Sequence, residues 1–295
     1  MRAVKHISLL FLLLVAAGNS FAQVSKLERA LELYQEKKLD SAKVYIDEAS
    51  LNPATKNEYN VWMVRGFIYK DLYKTKEADK PSSNYRDISV ESFKKSLALD
   101  TVNANPQKEG ILKGLKYIAS TYHNDINKTL DTINYKVSLS NAAKYSAITK
   151  SLDPAFKESF YNYEVYLTVG SMFEKEYEHR RNKNILDMAK AYLFNAYDID
   201  SSSFLVNKNL GLLYYNQAVE IINRIDPDTP LDSMDIIQEN AARQARQAKV
   251  YLLKAHKINP KDKVVIEGLM GCYYLLNEME QYNYYRKLLE ELNKQ

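Results

Sequence analysis

The side chains that could do chemistry are few: His123, His179 and His256, the lone Cys272, and the loop carrying Asp226, Asp228, Asp232 and Asp235. The three histidines are far from one another in sequence. Neither His-Glu-x-x-His, a nucleophile elbow, a Gly-rich phosphate loop nor a paired-cysteine metal site occurs. His256, close to an expected helix end, reads as a cation that complements the dipole. Cys272 follows Gly271 and reads as a small buried residue, with no second cysteine to pair with. The four aspartates could attract calcium. Pro227 and Pro230 break the alternating ligand spacing, and no Gly or closing Glu completes the loop. A solvated loop with a helix N-cap at Asp232 or Ser233 is the expectation there. The basic run His179-Arg-Arg-Asn-Lys183 reads as a solvated turn. No catalytic set, metal or cofactor is expected, and the chain is read as a non-enzyme.

The 24 tyrosines are the remaining chemical feature, since aromatic faces stack on sugars. Many fall at helical core spacing, among them Tyr34, Tyr69, Tyr117, Tyr214 and Tyr274. That spacing favours rings packed inside, with each hydroxyl reaching water or a neighbour.

These residues must be positioned by helices, because strand signals are nearly absent. Residues 135–140 alternate but run into an alanine-rich helical pattern and are read as helix. A glycine followed three residues later by a ring recurs as Gly66…Tyr69, Gly114…Tyr117, Gly170…Phe173, Gly211…Tyr214 and Gly271…Tyr274. Glycine within a helix costs about 1 kcal/mol against alanine. Five alike point to close helix–helix contact, where a Cβ would hold two backbones apart. Pro53, Pro106, Pro154 and Pro260 each precede or open such a helix and mark hairpin boundaries. The fold expected is an all-α solenoid of about six antiparallel helix hairpins.

The N-terminus reads as an export signal. Arg2 and Lys5 precede an apolar run of about 11 residues, too short for the roughly 20 that span a bilayer. Ser20 and Ala22 offer a cleavage site after Ala22, with no cysteine there for a lipid anchor. Residues 1–22 are thus expected to be a signal peptide and 23–295 one helical repeat array, periplasmic or secreted. Losing Arg2 and Lys5 takes the formal charge from +4 to +2. That balance argues against nucleic acid or an anionic membrane as partner, and no later run approaches spanning length.

Trp62-x-x-Arg-Gly66-x-x-Tyr69, Leu210-Gly211-x-x-Tyr214 and Ala248-x-x-x-Leu252-x-x-Ala255-x-x-x-x-Pro260 together resemble the tetratricopeptide repeat. The family's first helix carries W-x-x-L-G-x-x-Y; its second carries A-x-x-x-F-x-x-A-x-x-x-x-P. The resemblance covers nearly the whole chain after the leader. It departs in period, since the glycines stand 48, 56, 41 and 60 residues apart against the family's 34. The surplus falls at 74–86, 124–132, 176–184 and 225–235, expected as polar loops on one edge.

The resemblance implies that the first helix of each hairpin lines a concave groove. The residues placed there are Met63, Phe67 and Lys70, then Ile111 and Leu115, then Leu167 and Ser171, and finally Lys208, Leu212 and Tyr215. Their character is apolar with few polar points, which suits a hydrophobic segment or helix of a partner. The implied function is a non-catalytic protein–protein interaction scaffold of the bacterial cell envelope. The alternative is a glycan or small-ligand binding accessory protein of nutrient uptake, for which three exposed tyrosine rings side by side are the mark.

Overall fold

The computed structural model describes residues 26–103 and 105–294; the expected signal peptide lies outside them. The described residues form twelve α-helices and no strand. They are α1 (26–35), α2 (Leu39–Leu51), α3 (Tyr59–Leu72), α4 (Asn84–Leu99), α5 (Lys108–Lys128) and α6 (Tyr135–Leu152). There follow α7 (Glu158–Arg180), α8 (Lys183–Ile199), α9 (Phe204–Ile222), α10 (Leu231–Ile258), α11 (Lys263–Leu275) and α12 (Met279–Asn293). Odd-numbered helices pair with the even-numbered helices that follow them, giving six hairpins. The described residues divide into two compact units, one of those up to 129 together with 136–156, the other of 130–135 and those from 157 on.

The returning helices carry the rule that builds each hairpin. Ala42–Ile46–Ala49, Ser89–Phe93–Ser96, Ala189–Leu193–Ala196 and Ala248–Leu252–Ala255 are all fully buried. Each places one large side chain between two small ones on a single helical face. The small residues let the backbones approach and the large one fills the gap. Where alanine gives way to serine, the hydroxyls are satisfied across the hairpin: Ser89 Oγ donates to the Gly66 carbonyl and Ser96 Oγ to that of Tyr59, both at 2.9 Å. A buried hydroxyl with a backbone acceptor carries no desolvation penalty of its own.

Glycine answers the large side chain on the facing helix. A Cβ on Gly170 would lie 2.8 Å from Leu193 Cγ, and one on Gly211 would lie 2.6 Å from Leu252 Cγ. Gly66 meets the Phe93 ring in the same way. Gly114 and Gly271 make the same kind of close contact with helices other than their own returning ones. Gly114 faces Phe93 on the preceding helix α4, and Gly271 faces Tyr215 on α9. Tyr274 is a correction, being 62% exposed, while its neighbour Tyr273 is buried against Tyr285 with centroids 5.4 Å apart.

The prolines fall where expected. Pro53, Pro106, Pro154 and Pro260 each lie in a connection from one hairpin to the next. The surplus segments are only partly loops. Residues 176–180 complete the last turn of α7, and the chain reverses at Arg181, in the left-handed conformation (φ 50°). Residues 225–230 are irregular, but α10 begins at Leu231, so Asp232 sits in its first turn and Pro230 is the N-cap. After α3 the backbone continues as a π-turn, Tyr73–Glu77.

The segment following that turn is pinned by Arg86. Its guanidinium is fully buried, 2.8 Å from Asp125 Oδ2, and donates to the Pro81 carbonyl. The Tyr122 and Tyr73 ring centroids lie 4.1 and 5.0 Å from it. Asp125 also accepts from Lys128 at 2.9 Å. This is a charge held in the first unit's core by a counter-ion and two aromatic faces.

Candidate functional site

The side chains that could do chemistry are divided between the two units. His123 lies in the first unit, His179 and His256 in the second. Among the described residues no three His, Cys, Asp or Glu side chains are placed to hold a metal. Cys272 is fully buried, and burial pushes its thiol up to about 12, leaving no thiolate near neutrality. His256 corrects its reading as a cation: Nδ1 is buried without a partner, the ring lies 5.3 Å from that of Tyr285, and burial lowers its pKa. It is held neutral.

Tyrosine hydroxyls are recurrent struts between helices. Tyr34 on α1 donates to Asp71 on α3 at 2.6 Å, Tyr69 on α3 to Asp47 on α2 at 2.7 Å, and Tyr122 on α5 to Asp87 on α4 at 2.6 Å. Tyr177 on α7 donates to Glu220 on α9. Burial first, and then the carboxylate acceptor, raises the pKa of each. Among the described residues only Tyr45, Tyr274 and Tyr284 are more than a third exposed, and they lie on three different helices.

The face of the odd-numbered helices is built differently in the two units. In the first, Met63, Phe67 and Lys70 on α3 are half-buried. The Phe67 ring lies edge-on to Phe93 with centroids 5.0 Å apart, and the Lys70 ammonium stands 5.9 Å from the Phe67 centroid and 6.0 Å from that of Tyr117. Ile111 and Leu115 must be withdrawn from the groove: they are 0% and 1% exposed, packed with Phe93 and Tyr122. They stand three before and one after Gly114 in the helical phase that the resemblance gives the groove, but that face of α5 meets α4. Trp62 is half-buried, donates from Nε1 to the Lys56 carbonyl at 2.7 Å and carries the Lys95 ammonium 3.6 Å from its ring centroid.

In the second unit Leu167 and Ser171 on α7, and Lys208, Leu212 and Tyr215 on α9, are all half-buried. They form a row that crosses from helix to helix. Asn209 donates to Ser171 Oγ at 2.8 Å, Lys208 pairs with Asp262 before α11 at 2.9 Å, and Tyr215 lies on Gly271 of α11. Polar links thus alternate with apolar side chains along one face.

Glu174, one turn beyond Ser171, is the electrostatic exception on this face. Burial and the neighbouring Glu178 raise its carboxyl to about 8, against an opposing pull from Lys208. The folded chain therefore keeps a proton that the unfolded chain has released between about pH 4.5 and 8, so wild-type stability falls as pH rises through that window. Glu174→Gln removes the effect. Its urea midpoint is expected to match wild type near pH 4.5. By pH 8.5 it should exceed wild type by about 2–3 kcal/mol, below the full linkage value because the carboxyl is partly solvated. A gap independent of pH would rule this out.

No family model matches the chain, and no curated protein matches it. Among solved structures, PilW, a widely conserved type IV pilus biogenesis factor, aligns over 92% of this chain and 93% of its own at 16% identity, with a TM-score of 0.34. A monomeric mutant of IFIT1 with Gppp-AAAA aligns over 88% of this chain at 16% identity and a TM-score of 0.34; the chain spans 58% of its length. Acl4, the assembly chaperone of RpL4, aligns over 92% of this chain and 98% of its own at 13% identity and 0.23. The all-helical assignment rests on the helix packing described above.

Proposed function

We propose that this chain is a non-catalytic interaction scaffold of the bacterial cell envelope, exported by its N-terminal signal, that holds an apolar segment of a protein partner on the faces of its odd-numbered helices. The observation that carries the reading is the row Leu167, Ser171, Lys208, Leu212 and Tyr215. These side chains are neither core nor freely solvated, and they present apolar area with a few fixed polar points, as peptide-binding helical grooves do. Met63, Phe67 and Lys70 supply a comparable patch in the first unit. The sparse histidines and the buried, inert thiol support a binding role over a catalytic one. No helix among the described residues is long and apolar enough to cross a membrane.

The test is capture from envelope extract by wild type and by Phe67→Asp with Leu212→Asp. Loss of specific partners in the double variant is expected. Because Phe67 and Leu212 also touch neighbouring helices, Lys70→Glu with Ser171→Arg, which changes charge instead of apolar packing on the same face, is run beside it. Unchanged capture by a folded variant of either pair means the partner sits elsewhere.

A further inference from the structure

We propose that the cavity between the α7–α8 turn and the C-terminal end of α9 binds a small phosphorylated polyol: a phosphate monoester with a neighbouring hydroxyl. The cavity measures about 350 Å³, at the small end of ligand sites. Four cations line it, Arg181, Lys183, Lys190 and Arg224, against two acids, Asp187 and Glu220. Glu220 is already occupied on both oxygens, by the Tyr177 hydroxyl and by Arg224 at 2.7 Å. Asp187 stands one turn from Lys190 on α8 and acts as its counter-charge. Arg181 and Lys183 are left in excess, a surplus of two positive charges that matches a phosphate monoester dianion.

Three features do not follow from folding needs alone. Lys183 opens α8, whose first turn contains no acid; a cation there opposes the helix dipole, whereas an anion would complement both. Lys190 is half-buried, and its ammonium lies 4.4 Å from the Tyr214 ring centroid, without a hydrogen-bond acceptor in the described structure. Burial depresses its pKa accordingly, a cost that a bound anion would offset. Gln217 is also a wall residue, and its Oε1 is buried just behind the cavity surface with no hydrogen-bond partner among the described residues. A carbonyl oxygen needs a donor, and the dianion of a phosphate monoester has none on its phosphate, so such a ligand must bring a carbon-borne hydroxyl. Arg181 and Arg224 also lie beside helix C-termini and complement those dipoles, but that role accounts for neither lysine nor for Gln217.

Titration calorimetry on the full chain at 0.15 M salt decides the matter, with glycerol 3-phosphate, inorganic phosphate and glycerol as probes. Saturable binding of glycerol 3-phosphate at least tenfold tighter than inorganic phosphate is expected, with no heat from glycerol. Arg181→Gln with Lys190→Met should weaken glycerol 3-phosphate binding at least tenfold while the helical circular dichroism is retained. Gln217→Leu should reduce its advantage over inorganic phosphate to less than threefold. Absence of saturable binding to wild type, or equal affinity in the Arg181/Lys190 variant, overturns the site. Equal affinity for both phosphates in wild type overturns the hydroxyl contact and with it the proposed ligand class.

Discussion

Gly170→Ala and Gly211→Ala are each expected to destabilise the second unit by about 2–4 kcal/mol, although alanine is the better helix former. Either new Cβ would meet the large buried side chain of the returning helix and, just behind it, a backbone nitrogen: Leu193 N at 3.0 Å or Leu252 N at 3.1 Å. A side chain can rotate away, but a hairpin backbone can retreat only by opening the contact. Overpacking of this kind costs about 1–3 kcal/mol, with displacement of the fully buried leucine added. The intrinsic gain of about 1 kcal/mol from replacing a helical glycine is outweighed. Gly110→Ala makes the opposite case. Its Cβ would lie 3.3 Å from Gln107 Oε1 and 3.4 Å from Phe67 Cζ, both ends of side chains. There the propensity term should win, stabilising by about 0.5–1 kcal/mol. Thermal unfolding followed by helical circular dichroism reads both signs; equal shifts at all three positions would falsify the close-contact explanation.

Arg86→Leu should cost about 3–5 kcal/mol in the first unit. The substitution leaves Asp125, 2% exposed, with only Lys128 as counter-ion and leaves the Pro81 carbonyl with Asn141 Nδ2 as its remaining donor, at 3.2 Å. Removing one member of a buried pair strands the other's charge. Asp125→Asn should cost a similar amount, since it leaves a guanidinium between two rings with no anion. Replacing both, as Arg86→Met with Asp125→Leu, should recover more than half of the loss, because neither charge then has to be desolvated. Trp62 is the chain's single tryptophan and lies in the first unit, so its fluorescence in urea reports this unit alone. If the double replacement is as unstable as the sum of the singles, the pair is not an isolated charge couple.

Much of the hairpin architecture was legible because one physical device repeats. A small–large–small face on a returning helix, opposite a glycine, leaves a mark in sequence at Ala189–Leu193–Ala196 with Gly170, and at Ala248–Leu252–Ala255 with Gly211. What the spacing does not encode is which neighbour a glycine meets. A glycine on an odd-numbered helix can meet its own returning helix, the preceding returning helix or the preceding odd-numbered helix. Gly66, Gly114 and Gly271 each use a different one of these. The same ambiguity put Ile111 and Leu115 in the groove and left Tyr274, instead of Tyr273, as the packed ring. Polar surplus was likewise read as loop. In residues 176–180, however, charged residues are good helix formers and extend α7, whereas Pro227 and Pro230 do keep 225–230 irregular. The run from His179 to Lys183 reads as a solvated turn, but only Arg181 and Asn182 form one, between the end of α7 and the start of α8. Its charges acquire meaning only once α9 brings Gln217 and Arg224 alongside, an adjacency more than thirty residues away in sequence.

The central claim, that a partner segment lies along the odd-numbered helices, is tested most directly by photo-crosslinking from single positions in living cells. A benzophenone amino acid is placed at Ser171 or Met63 on the proposed face, or at Val44 or Val250, which are 54% and 50% exposed on returning helices α2 and α10. Discrete envelope-protein adducts from Ser171 and Met63, with none from Val44 and Val250, are the predicted outcome. Adducts that arise only from the returning helices, or equally from all four positions, would contradict it.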